Sequence, residues 1–515
     1  MKFYNCTSLF FLLIIINTNL FSQSDSPIIP QGLGFSNQLQ YSYDTKDKEE
    51  IFENWFNLDY TRGIFSAGIR FDIFQPNDPD PSISRGKERY ADIAYKYLKA
   101  DIGSIDKGVS LTVGNFYSLF GRGLILKSYE ERNIRVDNNL LGVKAEGRYS
   151  NFILTALTGM PENALAQRKD ILHAVDIEYR GLRSLQLGGS FASNQPDING
   201  IARTSLASLR IQPSIWNFDF YLEYGIKQND DIKRNVFNNN EEIVGEAFYG
   251  SMNFYLGSFS FAGEVKHYDN YAFTTHDETV FYNTPPSLRK EYTYQLLNRH
   301  PSPLKQSNER GFQVEANYYI DDDNQLNANF GLTRTLSSSS YHQRITRKDL
   351  PFLPIFTQHK EFFIQGIRNW SDAYTSILSF GFNEELPTNT RNFAPILENR
   401  FYFSDINTIK VTVEHQHTTN RTTDEKYYSN VLALEYLRSP SLSITLVTEV
   451  ETKEPEEGRI VRKVWSFIQF GYKIFQNTDL SLLLGSRQAG NICIGGVCRF
   501  EPEFRGIELS MLTRF

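Results

Sequence analysis

Beyond its first two dozen residues the chain returns again and again to one pattern, with apolar side chains at every second position and charges, amides or glycines between them. Phe65, Ala67, Ile69, Phe71 and Ile73 alternate with Ser66, Gly68, Arg70 and Asp72. Phe312, Val314, Ala316, Tyr318 and Ile320 alternate with Gln313, Glu315, Asn317 and Tyr319. The last ten residues, GIELSMLTRF, set Ile507, Leu509, Met511 and Thr513 against Gly506, Glu508, Ser510, Leu512 and Arg514, and stop on Phe515. A period of two belongs to strands with unlike faces, and no sustained helical period follows the N-terminus.

The connections restrict the fold further. Short ones, such as Asp321-Asp322-Asp323-Asn324, Ser404-Asp405-Ile406-Asn407 and Arg438-Ser439-Pro440-Ser441, alternate with long ones. The long ones include His267 to Arg310, Ser337 to Lys360, Thr418 to Glu425 and Thr452 to Lys463. A soluble sandwich has no reason to place every long loop at one end, whereas an outer-membrane barrel combines short periplasmic turns with long outer loops. Lipid offers no water to satisfy backbone groups, so the last strand must pair with the first. The expected fold is therefore all-β, a transmembrane antiparallel β-barrel over 34–515. It should have about 24 strands (between about 18 and 26), each of about ten residues. Phe515 would end the closing strand at the inner interface and serve as its C-terminal insertion signal.

The N-terminus places Lys2 before the apolar run Leu9 to Ile16, followed by Ser22-Gln23-Ser24. That order predicts a cleaved signal peptide over 1–22 and a short periplasmic segment over 23–33, too short for the folded plug of an energised receptor. Aromatic residues make up 14 % of the chain, and the formal net charge is −7. Such a balance gives no basic face for nucleic acid. The expected location is the bacterial outer membrane, in contact with its lipid and, during insertion, with the barrel-assembly machinery.

Two blocks are distinctive: GNFYSLFGRGLILKSYEERNIRVDNNLLGVKAEG, residues 114–147, and GSRQAGNICIGGVCRFEPEFRGIELSML, residues 485–512. Together they resemble a family of uncharacterised exported barrels of Bacteroidota type. More loosely, a strand that ends in Gly-Arg-Gly before a charged loop resembles alginate-export and related porin-like barrels. The resemblance implies a barrel in the cell envelope and nothing about its chemistry.

Within the first block, Gly121-Arg122-Gly123 follows the expected strand Leu111–Phe120 and leads into Lys127, Glu130, Glu131, Arg132, Arg135 and Asp137. Glycines permit a sharp fold. A loop of mixed charge folded into a lumen would narrow it and set ion selectivity, whereas the same loop turned outward would only solvate itself. The constriction candidates are Arg122, Glu130, Glu131, Arg132, Arg135 and Asp137. By alternation, Arg70, Asp72, Glu223, Glu264, Lys266, Glu315, Glu398, Arg400, Lys410 and Glu414 face inward, with Glu53, Asp59 and Asp219. A charge facing lipid at mid-bilayer would cost about 2–4 kcal/mol. The period does not say whether these groups line water or pair with one another.

Cys493 and Cys498 flank Gly-Gly in the last outer connection and read as a small disulfide-closed loop. Two outer loops, Thr284 to Gly311 and Ser337 to Lys360, mix apolar residues with charges, suiting either an envelope-protein partner surface or a lid over the mouth. No Gly-x-Ser-x-Gly or His-Glu-x-x-His occurs, and the eight histidines are scattered, so neither an enzyme nor a metal or other cofactor is expected. The leading expectation is a porin-like channel for passive transport of a small hydrophilic solute. The alternative is a non-conducting barrel serving as a structural or interaction subunit of an outer-membrane secretion or assembly complex. An apolar ligand would want a greasy lumen, which the alternation disfavours.

Overall fold

Strands with one apolar and one polar face are satisfied when the sheet curls until its polar face looks only at itself. In the computed structural model, which describes residues 31–76, 90–198, 200–229, 245–299, 308–336, 357–385, 389–453, 460–494 and 497–515, the sheet has 24 strands. Every pairing in it is antiparallel, each strand with its sequence neighbour, and the last, Phe504–Arg514, returns to the first, Leu33–Asp44. In that closing pair Ser36 faces Arg514, Tyr41 faces Leu509 and Asp44 faces Gly506. No sheet edge remains, as closure in lipid requires.

The faces divide as the period demands. On strand Thr204–Ile215, Leu209 is 75 % exposed, Arg210 is 2 % exposed and Ile211 is 41 % exposed. Asp176 is buried between the exposed Val175 and Ile177. Apolar groups therefore face outward and the charges inward, where pairing or water must stabilise them. Strands run from 10 to 15 residues, enough to cross a bilayer at a tilt. The turns at one end are short, such as Trp216-Asn217 and Asp405-Ile406, and every long connection lies at the other.

Three local expectations change. The strand expected over Leu111–Phe120 ends at Phe116, and Ser118–Phe120 instead pairs with Leu126–Ser128 in a small hairpin of its own. The chain leaves the wall there because the next apolar residues pack inside the barrel. Secondly, a helical turn at Gln295–Asn298 and a 3-10 turn at Arg132–Ile134 occur in the long connections, where no period announced them. Thirdly, the first strand begins at Leu33, inside the segment expected to precede the barrel. The signal-peptide region and nearly all of Ser337 to Lys360, including Phe352, Leu353, Ile355 and Phe356, lie outside the described residues.

Candidate functional site

Two of the long connections turn into the lumen. The first, 117–139, descends to Gly121-Arg122-Gly123. Gly121 has φ +54° and Gly123 φ +86°, a region L side chains rarely adopt. A Cβ on Gly121 would lie 2.7 Å from Tyr221 Oη and 2.8 Å from Glu223 Oε2. The turn is thus pressed on the wall, where the Arg122 N–H donates to Tyr221 Oη at 3.1 Å and Tyr221 donates to Glu223 at 2.5 Å. Ser208 also donates to Glu223, at 2.8 Å.

Leu124, Ile125 and Leu126 follow, all fully buried. They share an apolar cluster with inward wall residues Leu157, Leu172, Leu206 and Tyr249, and with Tyr271, Phe273 and Tyr282 of the second inserted connection, 270–299. In this sector the lumen is therefore apolar, at part of its wall as well as at its centre, a correction to the expectation of a polar interior. The inward charges alone could not reveal it, because the apolar groups come partly from loops and partly from wall positions between those charges.

The second connection is joined to the first through backbone groups. Lys127 N–H donates to Tyr282 O at 2.8 Å, Thr284 N–H to Gly123 O at 3.2 Å and Asn283 Nδ2 to Leu124 O at 3.0 Å. Asn138 Nδ2 reaches Phe281 O at 3.0 Å. On one wall Asp170 accepts from His276 N–H at 2.9 Å, and its other oxygen is 2.6 Å from His276 Nδ1. The chain then crosses to the opposite wall. Lys290 pairs with Glu315 at 2.8 Å, and Tyr292 donates to Glu361 at 3.2 Å. Glu414 accepts the N–H groups of Gln295 and Leu296, at 3.0 and 2.8 Å, which start the helical turn with no intrahelical acceptor. Arg299 closes the crossing on Glu449 at 2.7 Å. Of the two readings for the outer segment from Thr284, its described part takes the covering one: Leu296 and Leu297 are buried against the wall and offer no surface to a partner.

The six constriction candidates fall into two groups. Arg70, on the wall, binds Asp72 at 2.9 Å, Glu130 at 2.9 Å and Asp137 at 2.5 Å. Arg132 binds Glu130 at 2.7 Å and donates to Gln38 at 3.1 Å, its guanidinium 5.4 Å from the Trp55 ring. Arg135, at φ +55°, pairs with Glu53, and Glu131 accepts from Asn133 N–H at 3.1 Å. These five loop charges fasten the loop. Arg122 differs: it is exposed, its Cζ lies 4.8 Å from the Tyr221 centroid and 5.9 Å from that of Tyr249, and its guanidinium makes no ion pair among the described residues.

The remaining inward charges are paired too. Glu264 accepts from Tyr249 at 2.9 Å, Lys266 pairs with Glu309, and Glu398 with Arg400 at 2.6 Å. Lys410 lies 2.8 Å from Glu435 and 3.9 Å from Glu398. Asp59 and Asp219, near the short-turn end, are exposed. Sequence reading missed Asp176 and Arg210, whose bonds of 2.7 and 2.8 Å form a buried pair on this wall; the alternation Leu209-Arg210-Ile211 carried the signal. It also missed Glu361 and Glu449. In the loops, burial pushes Lys127 below its ordinary value and lowers Arg289 likewise.

Cys493 and Cys498 face each other across the hairpin Gly490–Ile494 and Val497–Glu501, but their side chains lie outside the described residues. That hairpin approaches both Arg132–Ile134 and Gln295–Asn298, so three long connections meet within the lumen. Toward the short turns the lumen widens into a cavity of about 860 Å³, lined by Gln38, Gln40, Asn133, Gln469, Ser481 and Ser510 among others.

The chain is similar in strand arrangement to several solved barrels. The P pilus usher (PapC) translocation pore shares 9 % identity over 94 % of this chain and 99 % of that one, with a TM-score of 0.48. The copper transporter OprC shares 10 % over 94 % and 80 %, TM-score 0.44. The FrpB iron transporter of Neisseria meningitidis, in its F5-1 variant apoprotein form, shares 9 % over 95 % and 82 %, TM-score 0.39. At such scores and identities they do not bear on what this chain carries. No protein of curated function matches the sequence. Residues 5–515 match the family of unknown function DUF6029, and the chain belongs to that family.

Proposed function

We propose that this protein is an outer-membrane channel through which a small hydrophilic solute passes down its gradient, narrowed by its own loops. The observation that carries the reading is the cavity of about 860 Å³ on the short-turn side, where the amides of Gln38, Gln40, Asn133 and Gln469 and the hydroxyls of Ser481 and Ser510 lie among apolar residues such as Leu437 and Leu480 and the charged Lys473 and Asp479. Amides and hydroxyls lower the cost of moving a polar solute without holding it tightly. The route ends at the short-turn side, in the sector of Gln38 and Gln469. Such a barrel would be non-enzymatic, of Bacteroidota type, and related through 114–147 to alginate-export barrels. Phe515 would serve as the insertion signal read by the assembly machinery, and envelope partners would meet the outer loops apart from the buried segment around Leu296 and Leu297.

A second reading, a non-conducting structural subunit, draws on the fully buried residues that join the two inserted connections. Conductance in planar bilayers separates the two. A conducting barrel gives stepwise currents that grow when Arg132→Ala removes the side chain beside the cavity; a silent barrel favours the structural subunit.

A further inference from the structure

Of the seven charges on the Gly121 loop, five are tied to the wall or to the loop itself; Lys127 is half-buried over the Tyr129 ring, and Arg122 alone is both exposed and without an ion pair among the described residues. Its backbone is fixed with care: glycines at φ +54° and +86° flank it, and its N–H is bonded to Tyr221 Oη. Its side chain is laid over the Tyr221 and Tyr249 rings. Both carboxylates nearby are engaged elsewhere, Glu223 by Tyr221 and Ser208 and Glu264 by Tyr249, and neither forms an ion pair with Arg122.

The level of the turn follows from register. Tyr221 stands four residues above the Trp216-Asn217 turn, so Gly121-Arg122-Gly123 reaches far toward the short-turn end. An exposed guanidinium there looks into the lumen below the inserted loops. A guanidinium stacked on aromatic faces keeps its in-plane N–H groups free, and their fork matches the two oxygens of a carboxylate.

We infer that Arg122 is the contact for a carboxylate on the transported solute, with Tyr221 and Tyr249 as the platform that orients it. The inference rests on the channel reading for its physiological meaning but not for its test, because binding can be read without any current.

The experiment is calorimetric titration of the full-length protein in detergent micelles with succinate. The wild type should bind, and Arg122→Gln should weaken binding by about tenfold or more. Arg168→Gln, which alters an arginine paired with Glu162 at the outer end, should leave affinity within about twofold. Arg122→Lys, which retains the charge without the fork, should fall between. Should Arg122→Gln fail to give a heat-modifiable folded barrel, Arg122→Lys carries the test and must bind several-fold more weakly. No binding to the wild type, or equal binding by either Arg122 variant, overturns the assignment. Silent bilayers with succinate binding intact would count against conduction and leave the site standing.

Discussion

Phe35 and Phe515 exchange both backbone hydrogen bonds, at 2.9 and 2.8 Å, and stack their rings with centroids 4.7 Å apart. The last residue of the chain thus extends the closing pair by one rung and fixes it with an aromatic contact. Phe515→Ala keeps the rung and loses the stack, worth about 0.5–1.5 kcal/mol beyond buried area. Its denaturant midpoint in micelles should fall by a matching amount. Removing 504–515 instead leaves two unpaired edges, and no heat-modifiable barrel should form on gels.

The Asp176–Arg210 pair predicts strong coupling. Arg210→Met leaves a buried carboxylate without its partner, a loss of about 3–5 kcal/mol. Asp176→Leu combined with Arg210→Met should recover much of that loss, since no buried charge is then stranded between them. Unfolding of the two single variants and the double variant measures the cycle; additive losses would show that the two side chains are not coupled.

Gly121 makes a sharper claim about the loop. Alanine there meets both a left-handed backbone, at about 1–2 kcal/mol, and contacts of 2.7 and 2.8 Å with Tyr221 and Glu223. Gly121→Ala should lift the turn from the wall while the 24-stranded sheet persists. Limited proteolysis between 117 and 139 would then appear in a barrel that still shows heat modifiability.

Asp277 gives a pH dependence. Burial works to raise its carboxyl, but hydrogen bonds from Thr275 and Thr279 outweigh it and hold the group below its ordinary 3.8. Its stabilisation is therefore complete above that value and is lost as pH falls through the lowered one. Asn163 Nδ2 donates to the same carboxylate at 2.8 Å, so acid should free 162–169 from 274–280. Pepsin cleavage in these segments, normalised to an unstructured substrate, should rise below about pH 3.8 and stay flat in Asp277→Asn.

The wall was legible in the sequence because strand alternation is local: Arg70, Asp72, Glu223 and Glu414 could be placed inside by counting from their neighbours. Closure was legible from the alternation of the last ten residues together with the need of backbone groups in lipid for a partner. The interior was not. Lys290, Gln295 and Arg299 sit in a connection without a period, and what draws them inward is a set of carboxylates on Glu315, Glu414 and Glu449, strands apart in sequence. The apolar run Leu124–Leu126 belongs to a cluster shared by two loops and the wall. Contacts between non-adjacent segments carry no signature in either one alone.

The crossing segment 290–299 is the part of the lumen held mainly by wall carboxylates, so its removal tests the central claim most directly. Single-channel recordings of the wild type and of a variant with 290–299 replaced by a short Gly-Ser linker should both show stepwise openings, with larger unit conductance in the variant. Equal conductances, or silence from both, would contradict a channel narrowed by its own inserted loops.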